Sequence, residues 1–288
     1  MSVQVLDGKL LAEEIKKRLQ DEVGFIHNET GCLPLIVNVM IGNNHAACAY
    51  ANSQKKAAEQ IGINYRQDIL DKDISAEEII AHIKSLNEDK NVNGILVHKP
   101  VPGHIDYPII ANHIDVSKDL EGVNIVNVGK MLLGQTKIIP CTPAAAIEHI
   151  KSTGIDLPGK EVVIVGHSEI VGKPLSLLLL AELATVTICH IGTSEAGKLV
   201  EHVGRADVLI VAVGKAGLIK GEWIKKGAVV IDIGINRDGD KIVGDVEFEA
   251  AKQRASFITP VPGGVGPVTV VMLMKNAIEA FRLQNKKG

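Results

Sequence analysis

Apolar residues along this chain fall into two recurring patterns, short continuous β-branched runs and longer stretches with a 3.6-residue period. Residues 9–28 read as an amphipathic helix behind a short strand, and PLIVNVMIG (34–42) reads as a buried strand. AACAYANSQKKAAEQIG (46–62) has helical period and stops at a glycine, and NYRQDIL (64–70) is a short strand. SAEEIIAHIKSLNED (75–89) opens on a serine cap with an early glutamate pair. VNGILVHKPVP (92–102) is a strand running into a proline-rich turn. Over 117–145 the period loosens, and a helix resumes at about 143–153. The runs VVIVG, TVTICH, VLIVAVG, AVVIDIGIN and SFITPVPGGVGP then alternate with turns or helices. A final helix at 269–284, apolar on one face, is expected to pack back on the first half.

Strands alternating with helices predict an α/β protein of two α/β domains. The expected bounds are 1–142 with the C-terminal helix of about 270–288, and 143–269 as a Rossmann-like, doubly wound parallel sheet. The richest stretch is VVIVGHSEIVGKP (162–174). Val162 to Val165 form the strand, Gly166 and Gly172 permit close backbone approach, and Pro174 suits a first helical turn. Such a strand–turn–helix aims N–H groups at one point, as phosphate sites do, although the spacing also fits an ordinary βα turn.

Composition narrows the class. The chain has 288 residues, 46% apolar and 23% charged, with aromatics at 3%, values suited to parallel sheets covered by helices. A net charge of −3 without a basic block argues against nucleic acid as a partner. Cys32, Cys48, Cys141 and Cys189 are scattered without a C-x-x-C pair, and no ligand cluster suggests a metal. The N-terminal stretch does not read as a signal peptide, and no apolar run approaches the roughly 20 residues that span a membrane. A cytoplasmic location is expected.

Taken in order, LDGKLLA (6–12), the Tyr50 helix with KAAEQIGI (56–63), NGILVHKPVP (93–102), KDLEGVNIVNVGK (118–130), PCTP (140–143), GHSEIVGKP (166–174), DIGIN (232–236), GDV (244–246) and PVPGGVGPVT (260–269) resemble the methylenetetrahydrofolate dehydrogenase/cyclohydrolase family over essentially the whole chain. The resemblance implies a homodimer of two α/β domains, with folate on the first and NAD or NADP on the second. It implies folate contacts at Tyr50, Val97, Pro100, Pro262 and Gly263, and catalytic roles at Tyr50 and at positions 54, 98 and 121. Cofactor contacts are implied at Gly166, His167, Ser168, Gly172, Ile191, Thr193, Gly234, Ile235 and Gly264.

The departures are concentrated in the pocket. Where the family has Tyr-x-x-x-Lys, Tyr50 is followed by Gln54, and Lys55 and Lys56 point away from the Tyr50 face at about 100° per residue. The V-Q-L-P strand end becomes Val97, His98, Lys99 and Pro100, with Lys99 expected on the other side of the strand. Glu121 replaces an aspartate and Ala47 a serine. Hydride transfer to a nicotinamide needs no proton movement, whereas cyclohydrolase chemistry does, and an amide does not titrate. Losing a general acid–base removes roughly 10²–10⁴-fold in rate, about 3–5 kcal/mol of barrier. The expectation is a dehydrogenase with weak or lost cyclohydrolase activity. The alternatives are a fully bifunctional enzyme with His98 as the proton-transfer group, a catalytically decayed nucleotide-binding relative, and hydride transfer on another pterin or one-carbon carrier. His167 and Ile191 stand where NADP-using members hold the 2′-phosphate with arginine and serine, which predicts a lean towards NAD.

Overall fold

The computed structural model describes residues 3–285, with the side chains of His45 and Ala46 outside the described set, as are the expected domain ends at 1–2 and 286–288. The chain divides into two compact units. One combines the residues up to Ala12 with Thr142–Thr269; the other combines Glu13–Cys141 with the residues from Val270 onward.

In the unit containing 142–269, six parallel strands run in the order Thr185–Cys189, Glu161–Val165, Val208–Val211, Val229–Asp232, Phe257–Ile258, Gln4–Val5. The β-branched runs form them because both sheet faces are covered: Val162, Val163 and Ile164 are fully buried. Val163, Val165, Leu209 and Ile258 join Leu199 and Val203 in one core. From Glu161–Val165 the chain steps outward to Thr185–Cys189, then returns to the opposite side at Val208–Val211. Strand order therefore reverses beside Val165, and the crevice beyond the carboxyl ends there is where doubly wound sheets bind ligands.

Three sequence expectations change here. The sequence places residues 1–12 in the other unit, yet Gln4 N–H donates to Ser256 O at 2.8 Å and Leu6 N–H to Ile258 O at 2.8 Å, making Gln4–Val5 the sixth strand. AVVIDIGIN is not one strand: it stops at Asp232, and Asn236–Asp238 pairs antiparallel with Lys241–Val243. The last helix begins at Val265, inside the glycine-rich segment, with Pro267 in its first turn.

In the other unit, Leu35–Ile41 lies between Asn64–Leu70 and Gly94–Val97, all parallel. Val37, Val39 and Val97 pack against Ile79 and Ile83 of the helix Ala76–Glu88. Ser75 opens that helix with a capping box to Glu78, as its sequence predicts. The loosened stretch at 117–145 holds a helix, Ile125–Leu132, capped by Asn124. Ile125 and Leu132 are exposed, so no core-facing period marked it. The C-terminal helix is fixed in this unit by polar side chains. Asn276 Nδ2 donates to Leu120 O at 2.8 Å and to Ile139 O at 2.7 Å, and Gln284 Nε2 donates to Asn93 O at 2.7 Å. No helix among the described residues is long and apolar enough to cross a membrane.

Candidate active site

Asn38 is in register with Gln67 and Leu96 on its neighbouring strands. Strand alternation puts Tyr65 and His98, two residues from those partners, on the Asn38 face. On the helix His45–Ile61, Tyr50 and Gln54 are one turn apart and share a face. A polar chain links the two elements. Tyr65 Oη donates to Gln54 Oε1 at 2.9 Å, Asn38 Nδ2 donates to Tyr65 Oη at 2.7 Å, and Asn38 Nδ2 lies 3.4 Å from His98 Nδ1. Gln54, Asn38 and His98 are all buried, whereas Tyr50 keeps 40% of its surface exposed. Its ring centre lies 5.7 Å from that of His98 at a 57° tilt. Burial pushes the Tyr65 hydroxyl up to about 12, keeping it a donor, and burial holds His98 below the usual imidazole value.

Lys55 and Lys56 are exposed, and Lys55 pairs with Glu59 at 3.9 Å, so neither occupies the space beside Gln54. Ala47 packs with Met40 and Ala51. Val97 packs into the core with Ile79 and Ile83, so its side chain, expected among the folate contacts, is spent on packing.

The strand ends at Val97, but His98 N–H still donates to Val39 O at 2.9 Å and carries the ladder one residue further. Lys99 Nζ sits 3.7 Å from the centre of the Tyr107 ring, and Tyr107 Oη donates to Glu121 Oε2 at 2.8 Å. Asp106 caps the short helix Tyr107–Ala111 and fixes that ring at its first position. Burial raises the Glu121 carboxyl to about 7, against the downward pull of the Tyr107 hydrogen bond and the Lys99 charge, while Asp119 adds a push upward. Burial first, then the nearby Cys141 and Glu121 charges, raise the Tyr50 hydroxyl, so Glu121 lies within electrostatic reach of Tyr50. Pro100 follows Lys99 and is exposed.

In the other unit, the turn after Val165 has no space for a side chain at either of its glycines. A Cβ on Gly166 (φ +125°) would stand 2.3 Å from Ala212 O, and one on Gly172 would stand 2.1 Å from Gly166 O. Ser168 Oγ accepts from Val171 N–H at 3.2 Å. The rings of His167 and His190 lie 5.3 Å apart. His190 N–H donates to Thr193 Oγ1 at 3.2 Å, and Ile191 is exposed. The carboxylate of Asp245 accepts from the N–H groups of Val213, Gly214 and Lys215 at 2.7, 3.0 and 2.8 Å, and from Asn236 Nδ2 at 2.8 Å. Asp232 accepts from Gly234, Asp245 and Val246 N–H at 2.9 to 3.1 Å. Burial pushes Asp232 up to about 6. Gly234, Ile235, Pro262, Gly263 and Gly264 line a cavity of about 340 Å³ with Lys9. Gly263 has φ +101°, and Gly8 N–H donates to its carbonyl at 2.9 Å.

Sequence reasoning had no role for Asn38, Tyr65, Tyr107, Asp232 or Asp245. Asp245 lies in the matched GDV segment, which is the one signal that pointed near it.

The parallel sheet, its reversal of strand order and the packed glycine turn at that point define a dinucleotide-binding α/β protein. The family model described as "Tetrahydrofolate dehydrogenase/cyclohydrolase, catalytic domain" matches residues 6–121, and the one described as its "NAD(P)-binding domain" matches residues 140–285. This chain belongs to the tetrahydrofolate dehydrogenase/cyclohydrolase family. It is 49% identical over 287 residues to the bifunctional protein FolD of Acetivibrio thermocellus, covering 99% of both chains. It is 46% identical to the Bacillus subtilis protein of the same name over 283 residues, covering 98% of this chain and 99% of that one. The crystal structure of the bifunctional dehydrogenase/cyclohydrolase from Campylobacter jejuni is similar at a TM-score of 0.94 and 40% identity, covering 98% and 99% of the two chains. The NAD-dependent 5,10-methylenetetrahydrofolate dehydrogenase of Saccharomyces cerevisiae is similar at a TM-score of 0.79 and 26% identity, covering 98% of both.

Proposed function

We propose that this chain is a 5,10-methylenetetrahydrofolate dehydrogenase that favours NAD and has a weakened methenyltetrahydrofolate cyclohydrolase step. The observation that carries the reading is Gln54, buried at the family lysine position and accepting a hydrogen bond from Tyr65. The amide holds a fixed place in the polar chain and has no proton to lend at neutral pH. Dehydrogenation leaves this untouched: the nicotinamide ring accepts a hydride from the one-carbon bridge, and the protein supplies placement and electrostatics.

Each site residue has a task in this reading. Tyr50 stacks on the folate ring system, with His98 packed beside its ring. Glu121 presents its carboxylate to the pterin N–H groups. The turn at Gly166, His167, Ser168 and Gly172 holds the dinucleotide phosphates by backbone N–H groups, and the residues present suit it, since a Cβ on either glycine would strike backbone and force the tight turn open. Gly234, Ile235, Gly263 and Gly264 flank the nicotinamide side, and Pro100 borders the folate. The exposed Ile191 offers nothing to a 2′-phosphate, and the nearby Lys173 is paired with Glu169 at 3.6 Å, which supports NAD. The reading includes a cytoplasmic homodimer, which light scattering of the purified chain checks.

The deciding experiment follows absorbance of purified protein with methylenetetrahydrofolate and each dinucleotide, then with methenyltetrahydrofolate alone. Methenyl product formed faster with NAD, and persisting afterwards, supports the reading. Brisk methenyl hydrolysis removes the cyclohydrolase half, and silence with both dinucleotides removes the dehydrogenase half.

A further inference from the structure

Lys99, Tyr107 and Glu121 come from three separate segments, a post-strand turn, the first position of a short helix and the loop beyond Asp119. They nevertheless form one contact series: ammonium over ring at 3.7 Å, and ring hydroxyl to carboxylate at 2.8 Å. Asp119 lies buried beside them and donates nothing to Glu121; its Oδ1 accepts the Glu121 N–H at 3.2 Å. Burial and a neighbouring carboxylate both favour a neutral Glu121. Only two groups oppose them, the Tyr107 hydroxyl and the Lys99 charge.

We propose that Lys99 and Tyr107 are positioning residues that keep Glu121 ionised and hold one of its oxygens, so that the other oxygen faces substrate. The proposal rests on the reading of Glu121 as a folate contact. An ionised carboxylate is acceptor-only, whereas a protonated one presents an O–H that N–H donors of an aminopyrimidine ring would meet head-on. Tyr107 suits the task because its phenol is itself held protonated by burial and by the Glu121 charge, so it donates at all working pH. The Lys99 ammonium over the ring face withdraws electron density from the phenol and strengthens that donation, in addition to acting on the carboxylate through space. Tyr107 also occupies one carboxylate oxygen, which leaves a single orientation for the other.

The facing groups are few. Asp119 and Glu121 come from one loop, Lys99 and Tyr107 from the segments packed against it, and Tyr50 and Cys141 are the further titratable groups that sense the Glu121 charge. Removing Lys99 or the Tyr107 hydroxyl deletes a stabiliser of the ionised form, so the Glu121 midpoint must rise.

The test is a carboxyl-carbon NMR titration of the full chain labelled at glutamate, with Glu121→Gln to assign the signal. Lys99→Met and Tyr107→Phe are each expected to move the Glu121 midpoint up by about one unit, and Lys99→Arg to leave it near the wild-type value. Lys99 is exposed and the Phe ring fills the Tyr107 space, so all variants keep the fold. A midpoint unmoved in both Lys99→Met and Tyr107→Phe overturns the proposal. In parallel, KM for methylenetetrahydrofolate is measured against pH at saturating dinucleotide. It is expected to rise as pH falls through the same midpoint, and to follow it in each variant, with kcat changed less. If the NMR midpoints move while KM ignores them, the role of Lys99 in orienting Glu121 for substrate is overturned. If KM tracks the midpoints in the wild type but kcat alone responds in the variants, the substrate-orienting role is likewise overturned while the folate reading of Glu121 survives.

Discussion

The hydroxyl of Tyr65 donates to the buried amide of Gln54 at 2.9 Å while accepting from Asn38 at 2.7 Å. One phenol thereby joins a helix to the middle strand of the small sheet, and it specifies an acceptor at position 54. A lysine there would face a donor instead, unless Tyr65 turned its lone pair towards it.

Gln54→Lys should therefore raise methenyltetrahydrofolate hydrolysis, by up to roughly 10²–10⁴-fold. Gln54 is 3% exposed, and burial lowers a lysine's pKa towards neutrality, the range in which it carries protons. The decay of methenyl absorbance measures the rate. An unchanged rate in a folded variant would show that hydrolysis does not turn on this position.

Tyr65→Phe leaves Gln54 Oε1 and Asn38 Nδ2 without the hydroxyl that joins them. Each is buried, and the expected loss is about 2 kcal/mol in urea unfolding. A loss below about 0.5 kcal/mol would mean that water replaces the phenol.

Gly234→Ala strikes the other unit. The new Cβ would lie 2.1 to 2.4 Å from the Asp245 carboxylate, which must shift. That carboxylate holds Val213, Gly214 and Lys215 by their N–H groups, so the loop beyond Val211 loses its anchor. Dinucleotide affinity should fall at least tenfold, about 1.4 kcal/mol, by calorimetry. Retained affinity would separate the loop from the cofactor site.

Asp232 gives stability a pH dependence of defined sign. Burial raises its folded value to about 6 from 3.8, so the folded state holds its proton more tightly than the unfolded chain. Above pH 6 the ionised form opposes folding by about 2–3 kcal/mol, and this penalty is relieved as pH falls from 6 towards 4. Asp232→Asn should flatten that part of the stability profile in urea titrations at successive pH values. A wild-type slope that persists in the variant would place the effect elsewhere.

His167→Arg should raise kcat/KM for NADP by roughly 10–100-fold relative to NAD, because a charge-assisted hydrogen bond is worth about 1.5–3 kcal/mol. Initial rates with both dinucleotides decide it. No change in the ratio would mean that this turn does not meet the 2′-phosphate.

Much of the fold was legible because it is periodic. VVIVG, the Ser75 cap and the glycine stop at Gly62 each carry a local physical signal that survives in the structure. The helix Ile125–Leu132 was not legible, since Ile125, Val126, Val128 and Leu132 face outward and only Met131 among its apolar residues is buried. In the site, Gln54 and His98 stood out as departures within recognisable motifs. Lys99 leaves the His98 side as alternation predicts, and lies over Tyr107, which packs against the same cluster as Val97. Tyr65 and Tyr107 belong to no motif; they matter through partners 11 and 14 residues away in sequence that only folding brings within reach.

The two-residue strand Gln4–Val5 sets a constraint on the order of events during synthesis. Its hydrogen-bonding neighbour, Phe257–Ile258, leaves the ribosome some 250 residues later. Its pairing waits on a segment far behind it in the chain. Until then the growing chain exposes a bare sheet margin beside Val229–Asp232, and a tag or truncation at the amino end will act on the sheet farthest from it in sequence.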